Sequence, residues 1–155
     1  MMKNSIFDQG IKQAVFKRID AIKPDTKAEW GKLNATQMIR HLFEANRMAL
    51  GEIPMPDRSN FVSRTLIKWM FLSNIKPPGR KKGKIHTFPE IDVVQNKIAV
   101  EDIELEKKKY KDIVNRIINT AALYPSHTLF GKMSRADWGF LMYAHADYHL
   151  TQFKN

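Results

Sequence analysis

Cysteine is absent from the 155 residues of this chain. Its absence excludes disulfide bonds and thiolate metal sites, so a transition-metal site has to be built from histidine, aspartate or glutamate side chains. A chain without cysteine is also typical of a reducing compartment. We therefore expect a cytoplasmic protein.

Long apolar runs are also missing. The most apolar stretch covers residues 61–73, but Arg64 and Lys68 interrupt it, and a membrane-spanning helix needs about 20 apolar residues. The first 22 residues alternate charged and apolar positions, without the continuous apolar segment of a secretory signal. We expect no membrane span.

Negative charge is scarce. There are 26 Lys and Arg residues against 16 Asp and Glu residues, which gives a formal net charge of +10. Part of the excess lies in residues 76–84, KPPGRKKGK, whose proline and glycine content predicts a loop. This basic run is consistent with a solvated surface loop and with a contact to an anionic partner. No base-reading motif accompanies it, so we do not expect a nucleic-acid partner.

Strand-like alternation and glycine-rich phosphate loops are absent, and apolar residues recur instead at helical spacing. A first helix is predicted over residues 5–21, because Phe7, Ile11 and Val15 share one face. Pro24 ends it, since proline disfavours a helical conformation of the residue before it.

Two further helices are predicted, the second from the residues at its ends and the third from its apolar spacing. Asn34 and Gln37 have the spacing of a capping box, which predicts the start of a second helix, and Gly51 predicts its end. A third, long helix is predicted over residues 92–123, where apolar residues again recur at helical spacing.

The last predicted helix begins at a second capping box, formed by Ser134 and Asp137, and runs to about Phe153. Four long amphipathic helices predict an all-α fold, a four-helix bundle. At this length one domain, residues 1–155, is expected.

Residues 52–90 interrupt the pattern between the second and third long helices. Five prolines bracket one short apolar helix at about 60–73. We interpret this segment as an inserted excursion that acts as a lid or a dimer contact. Its centre is too apolar to stay in water, and consists of Trp69, Met70 and Phe71.

Three histidines are predicted to point inward. His145 and His149 lie four residues apart on the last helix, so their rings project from one face, and His41 shares the apolar face of the second helix. Buried imidazole nitrogens without partners cost about 1–3 kcal/mol each. A divalent metal ion accepts three lone pairs at once, so the pattern predicts a metal site.

The residues around these histidines narrow the chemistry. Ala146 stands where a zinc protease of the H-E-x-x-H type needs its glutamate, so that class is disfavoured. His127, in the loop before the last helix, is open to two interpretations, a role near the ligand or a loop hydrogen bond, and His86 is expected to be exposed. Partners for the outer ring nitrogens are also expected, and the candidates are Tyr148, Gln152, Gln37 and Glu44.

Three motifs together resemble the DinB/YfiT-like metalloenzyme superfamily. They are WGKLNATQMIRHL at 30–42, HTLFG at 127–131, and Trp138 followed by HADYHLTQF at 145–153. The resemblance covers nearly the whole chain. It implies a four-helix bundle, a frequent homodimer, and a metal held by His41, His145 and His149.

Relatives in that superfamily include transferases and isomerases that depend on a low-molecular-weight thiol. We therefore expect a metal-dependent transferase or hydrolase that acts on a small molecule, with zinc, nickel or iron as the divalent metal. The alternative is a non-catalytic metal-containing binding module whose basic loop contacts an anionic partner. A fold alone does not decide between them.

Overall fold

The computed structural model describes residues 3–73 and 86–155, so the basic run at 76–84 lies outside the described residues. The described residues are mostly helical, as expected. They form helices α1 to α5 and one ribbon of two short strands, β1 and β2. In chain order these are α1 Gln9–Ala21, α2 Ala35–Arg47, α3 Lys68–Leu72, α4 Ile103–Asn119, β1 Ser126–His127, β2 Gly131–Lys132 and α5 Arg135–Gln152.

Helix α1 begins four residues later than predicted. The Asp8 side chain accepts a hydrogen bond from the Ile11 amide at 3.0 Å, which makes Asp8 the N-cap. A carboxylate satisfies the free amides of a first turn better than the preceding residues can. The helix ends at Ala21, ahead of Pro24 as predicted, and Ile22 has an extended backbone.

Helix α2 begins where the sequence predicts, but its α-helical part ends at Arg47, three residues before the predicted end at about Leu50. The Asn34 side chain accepts from the Gln37 amide at 2.8 Å, and the Gln37 side chain accepts from the Asn34 amide at 3.1 Å. A short 3-10 turn, Met48–Leu50, follows the helix. Gly51 then adopts a φ of +69°, a conformation that glycine reaches without steric cost.

Helix α4 is shorter at both ends than the predicted 92–123. Asp102 caps it by accepting from the two amides at 104 and 105, and Asp92 likewise binds the amides of the turn that follows it. At the other end, the Arg135 guanidinium donates to the carbonyls of residues 118 and 120. These polar side chains satisfy backbone groups that a longer helix would have used internally.

The predicted short helix within 52–90 is present. Asn60 and Ser63 cap its start through reciprocal side chain–backbone hydrogen bonds, a π-helical turn covers Ser63–Ile67, and α3 follows. Helix α3 packs against α5. We expected the apolar side chains of this segment to be covered, but on its outer side Trp69 is 58% exposed and Phe61 is 82% exposed.

The long helices enclose the core. Helix α2 packs against α4 and α5, and α1 packs against the same two helices. The interior contains Tyr110, Met38, Leu42, Ile117 and Leu150, all with at most 1% exposure. In residues 3–73 and 86–155, no helix is both long and apolar enough to cross a membrane.

Candidate metal centre

Helices α2 and α5 bring three imidazoles together. His145 Nε2 lies 3.1 Å from His41 Nε2 and 3.1 Å from His149 Nε2. One nitrogen from each of the three rings lies within 4.8 Å of the others. The i, i+4 pair on α5 and the single histidine on α2 are thus arranged as the sequence predicted.

The outer nitrogens of two rings show which nitrogen carries the proton. His149 Nδ1 lies 2.6 Å from Gln152 Oε1; because an amide oxygen only accepts, Nδ1 donates and Nε2 keeps a lone pair. Gln152 in turn donates to the Trp30 carbonyl at 3.4 Å. The His41 ring makes a backbone hydrogen bond to Ile91, which leaves its Nε2 to face the other two rings.

This arrangement fits a divalent metal ion. The Nε2 atoms of His41 and His149 both present lone pairs to His145 Nε2, and a proton there can be donated to only one of them. Two metal–nitrogen bonds of about 2.1 Å place their nitrogens roughly 3.0 Å apart at a right angle and roughly 3.4 Å apart at a tetrahedral angle. The observed separation of 3.1 Å falls within that range.

Burial keeps two of the three rings, those of His41 and His145, neutral. It lowers the pKa of His41 to about 4, against smaller opposing effects of the Ile91 backbone and of the Asp92 and Glu44 charges. Burial also lowers the pKa of His145 well below its usual value, and the neighbouring histidines add to that shift. A metal ligand has to be a neutral imidazole, so the site is prepared for an ion at neutral pH.

These shifts predict acid sensitivity of the metal-free protein. His41 is protonated below about pH 6.5 in the unfolded chain but only below about pH 4 in the folded protein. Between these two values the unfolded state binds more protons, so the free energy of unfolding falls as the pH decreases. One such histidine contributes roughly 2–3 kcal/mol. Urea unfolding at pH 7 and pH 4.5 gives the loss of unfolding free energy for wild type and for His41→Asn, and we expect the larger loss in wild type. Equal pH dependence in the two proteins would refute the prediction.

The other candidate residues occupy different positions. Gln152 contacts His149, as described, and the Tyr148 ring lies edge-on to His149 at 5.0 Å. Glu44 is buried and accepts from Arg40 and Arg47, so it acts on His41 through its charge. The side-chain oxygen of Gln37 accepts from the Asn34 amide in the α2 capping box.

His127 makes a loop hydrogen bond. Its Nδ1 accepts from the Leu129 amide at 3.1 Å and from the Phe130 amide at 3.3 Å, within the hairpin that joins β1 to β2. A proton on His127 would lower the pKa of His145 further. His86 is exposed, as expected.

Two partners of the site were not predicted from the sequence. The backbone of Ile91 and the charge of Asp92 both act on His41. Ile91 is the last residue of the 3-10 turn Pro89–Ile91 and Asp92 follows it. This turn packs against α2. A backbone group has no side-chain signature, so no residue pattern marks it. In the sequence, the acidic residue Asp92 was the only indication that this segment contacts the site.

The centre has one accessible side. His41 and His149 are buried, while His145 keeps partial solvent exposure. Of the three residues, His145 is therefore the one that solvent partly reaches.

A family model described as a protein of unknown function, DUF1569, matches residues 7–155. No curated protein and no solved structure gives a significant match. The resemblance to the DinB/YfiT-like superfamily therefore stays a prediction, as does the homodimer it implies.

Proposed function

We propose a function from the site itself, because the chain belongs to the DUF1569 family, whose description assigns none. The function is that of a metal-dependent transferase or hydrolase acting on a small molecule. The observation that carries it is the convergence of one nitrogen from each of three imidazoles, of which that of His145 is partly exposed.

Three histidine ligands leave coordination positions open, which is typical of catalytic rather than structural sites. A divalent ion, when bound, polarises a substrate oxygen and lowers the pKa of a water or thiol. An all-nitrogen ligand set suits zinc, nickel or iron. A low-molecular-weight thiol is the proposed co-substrate, because thiolates bind such ions well.

The chain's own residues hold the ligands in place. The Gln152 side chain accepts a hydrogen bond from His149 Nδ1 and donates one to the Trp30 carbonyl, so it connects α5 to the segment that precedes α2. The Ile91 backbone makes a hydrogen bond to the His41 ring. We extend the proposal to the four-helix bundle, with α1, α2, α4 and α5 as its helices, because these helices pack pairwise around the site.

Gln152→Ala is expected to lower zinc affinity about tenfold, because loss of such outer partners typically costs 10–100-fold. Gln152→Glu keeps an oxygen acceptor for His149 Nδ1 and is expected to retain most of the affinity. Thr151→Ala, at an exposed neighbouring position, is the matched control. Competition titration with a chromophoric chelator measures all three, and equal affinities for Gln152→Ala and Thr151→Ala would contradict the prediction.

The function is tested by a substrate screen on three samples: metal-loaded wild type, metal-free wild type, and the His145→Ala variant treated with metal. The screen covers thiol transfer to electrophiles and hydrolysis of small esters and amides. We expect turnover only in the first form. Equal turnover in all three forms would refute a metal-dependent activity at this site.

A further inference from the structure

His127 has a second nitrogen that its loop does not use. Because Nδ1 accepts from the amides of Leu129 and Phe130, the ring proton of the neutral imidazole is on Nε2. Among residues 3–73 and 86–155, no acceptor is within hydrogen-bonding distance of that Nε2–H. The residue is only 6% exposed, yet its Nε2 is not among the fully buried polar atoms that lack a partner, so the described chain leaves this donor open to a ligand or to water.

Aromatic side chains fix the orientation of this donor. The His127 ring stacks on Phe130 at 4.6 Å and 17°, and meets the edges of Trp138 at 5.7 Å and Phe88 at 5.9 Å. Two backbone hydrogen bonds and three ring contacts leave the ring little freedom. Such preorganisation reduces the entropy lost when a ligand binds.

The same two elements support His127 and the metal centre. Phe88 precedes the turn Pro89–Ile91, whose backbone bonds His41. Trp138 and His145 are seven residues apart on α5, hence on one face and roughly 10 Å apart along the axis. His127 and the three histidines therefore lie along the same face of α5.

We infer that His127 Nε2–H binds an oxygen of the substrate, a carboxylate by preference, at the end remote from the group that meets the three histidines. This rests on the proposed function, which it deepens by naming a substrate class: small molecules with a metal-binding head and a carboxylate tail. A hydrogen bond to a charged oxygen is stronger than one to a neutral oxygen.

Two further observations favour an anionic acceptor. Burial lowers the pKa of His127 to about 4, and the charge of the Lys68 ammonium adds to that shift, so at neutral pH the ring donates through Nε2 without carrying charge. Lys68 is held by Asp137 at 3.0 Å and by the Lys132 carbonyl. The ammonium that acts on His127 is thus held in place by a carboxylate and a carbonyl.

The loop alone does not need a histidine. An asparagine side chain also accepts from backbone amides two or three residues ahead, as Asp92 does in this chain. Beyond its ring contacts with Phe88, Phe130 and Trp138, the imidazole adds the distal Nε2–H to what the hairpin requires. His127→Asn removes that donor and keeps the acceptor, whereas His127→Gln keeps a distal N–H and moves the acceptor away from the turn.

The experiment uses the cobalt(II)-loaded protein and a series of ω-mercaptocarboxylates of two to six carbons, each paired with the alkanethiol of the same length. Thiolate binding changes the cobalt absorption spectrum, which yields the dissociation constant. In wild type we expect about tenfold tighter binding of the carboxylate at one chain length, the gain of one charge-assisted hydrogen bond. His127→Asn should lose that preference and His127→Gln should keep part of it.

Each outcome decides something. If cobalt does not bind wild type, the proposed function fails and this inference fails with it. If cobalt and the thiols bind but no chain length favours the carboxylate, only the His127 inference fails. It also fails if His127→Asn, with native circular dichroism and full cobalt loading, keeps the tenfold preference.

Discussion

Alanine at His41, His145 or His149 lowers zinc affinity on the order of 1,000-fold in our account. Zinc sites in small proteins bind with about 10–16 kcal/mol, so one of three imidazoles contributes roughly 4 kcal/mol, which corresponds to that factor. The reason is geometric: one nitrogen from each ring lies within 4.8 Å of the other two, so each ring supplies one ligand to the same ion. Isothermal titration of metal-stripped variants with zinc measures it.

His86→Ala is the matched control, because His86 is exposed and is outside the three-histidine group. It should bind zinc as wild type does. Wild-type affinity in both His145→Ala and His149→Ala would place the ion elsewhere.

Arg40→Met costs about 3–5 kcal/mol of folding free energy. The Arg40 guanidinium bonds Glu44 at 2.7 Å and Glu106 at 3.3 Å, and the Glu106 side chain is completely buried with one oxygen, Oε2, lacking a partner. Removing the shared cation leaves buried carboxylates undercompensated, which is the costly way to break an ion pair. The midpoint and slope of urea unfolding give the loss.

Arg116→Met serves as the control for Arg40→Met. Arg116 also pairs with a carboxylate, Glu52, but its side chain is 61% exposed, and exposed pairs are worth about 0–1 kcal/mol. A loss below about 1 kcal/mol in Arg40→Met would mean that the buried network contributes little.

The parts of the fold that were predictable depend on local patterns. The capping boxes at Asn34 and Ser134 need only residues three apart, and both are present. The pairing of His145 with His149 follows from one helical turn. Neither prediction needs knowledge of what the helices pack against.

The parts that were not predictable depend on competition between residues. Apolar residues continue through 92–102, so periodicity alone extended α4 to Asp92. The Asp102 carboxylate offers the backbone a cap at that point, and periodicity does not weigh a cap against continued helix. Contacts made by a backbone, such as Ile91 with His41, have no residue pattern to read.

His127 combines both situations. The sequence left a loop hydrogen bond and a role near the ligand as alternatives. The structure confirms the loop bond through Nδ1 and puts the ring beside Trp138 and Phe88. One side chain with two different nitrogens serves one role without excluding the other, which spacing along the chain cannot reveal.

The central claim is that three histidines hold one divalent ion. X-ray absorption at the zinc edge, on protein loaded with one equivalent of zinc, tests it most directly. We predict nitrogen or oxygen ligands at about 2.0–2.1 Å, with scattering from three imidazole rings that falls to two in His41→Ala. Scattering from one imidazole or none in wild type, or zinc lost on simple dialysis, would contradict the account.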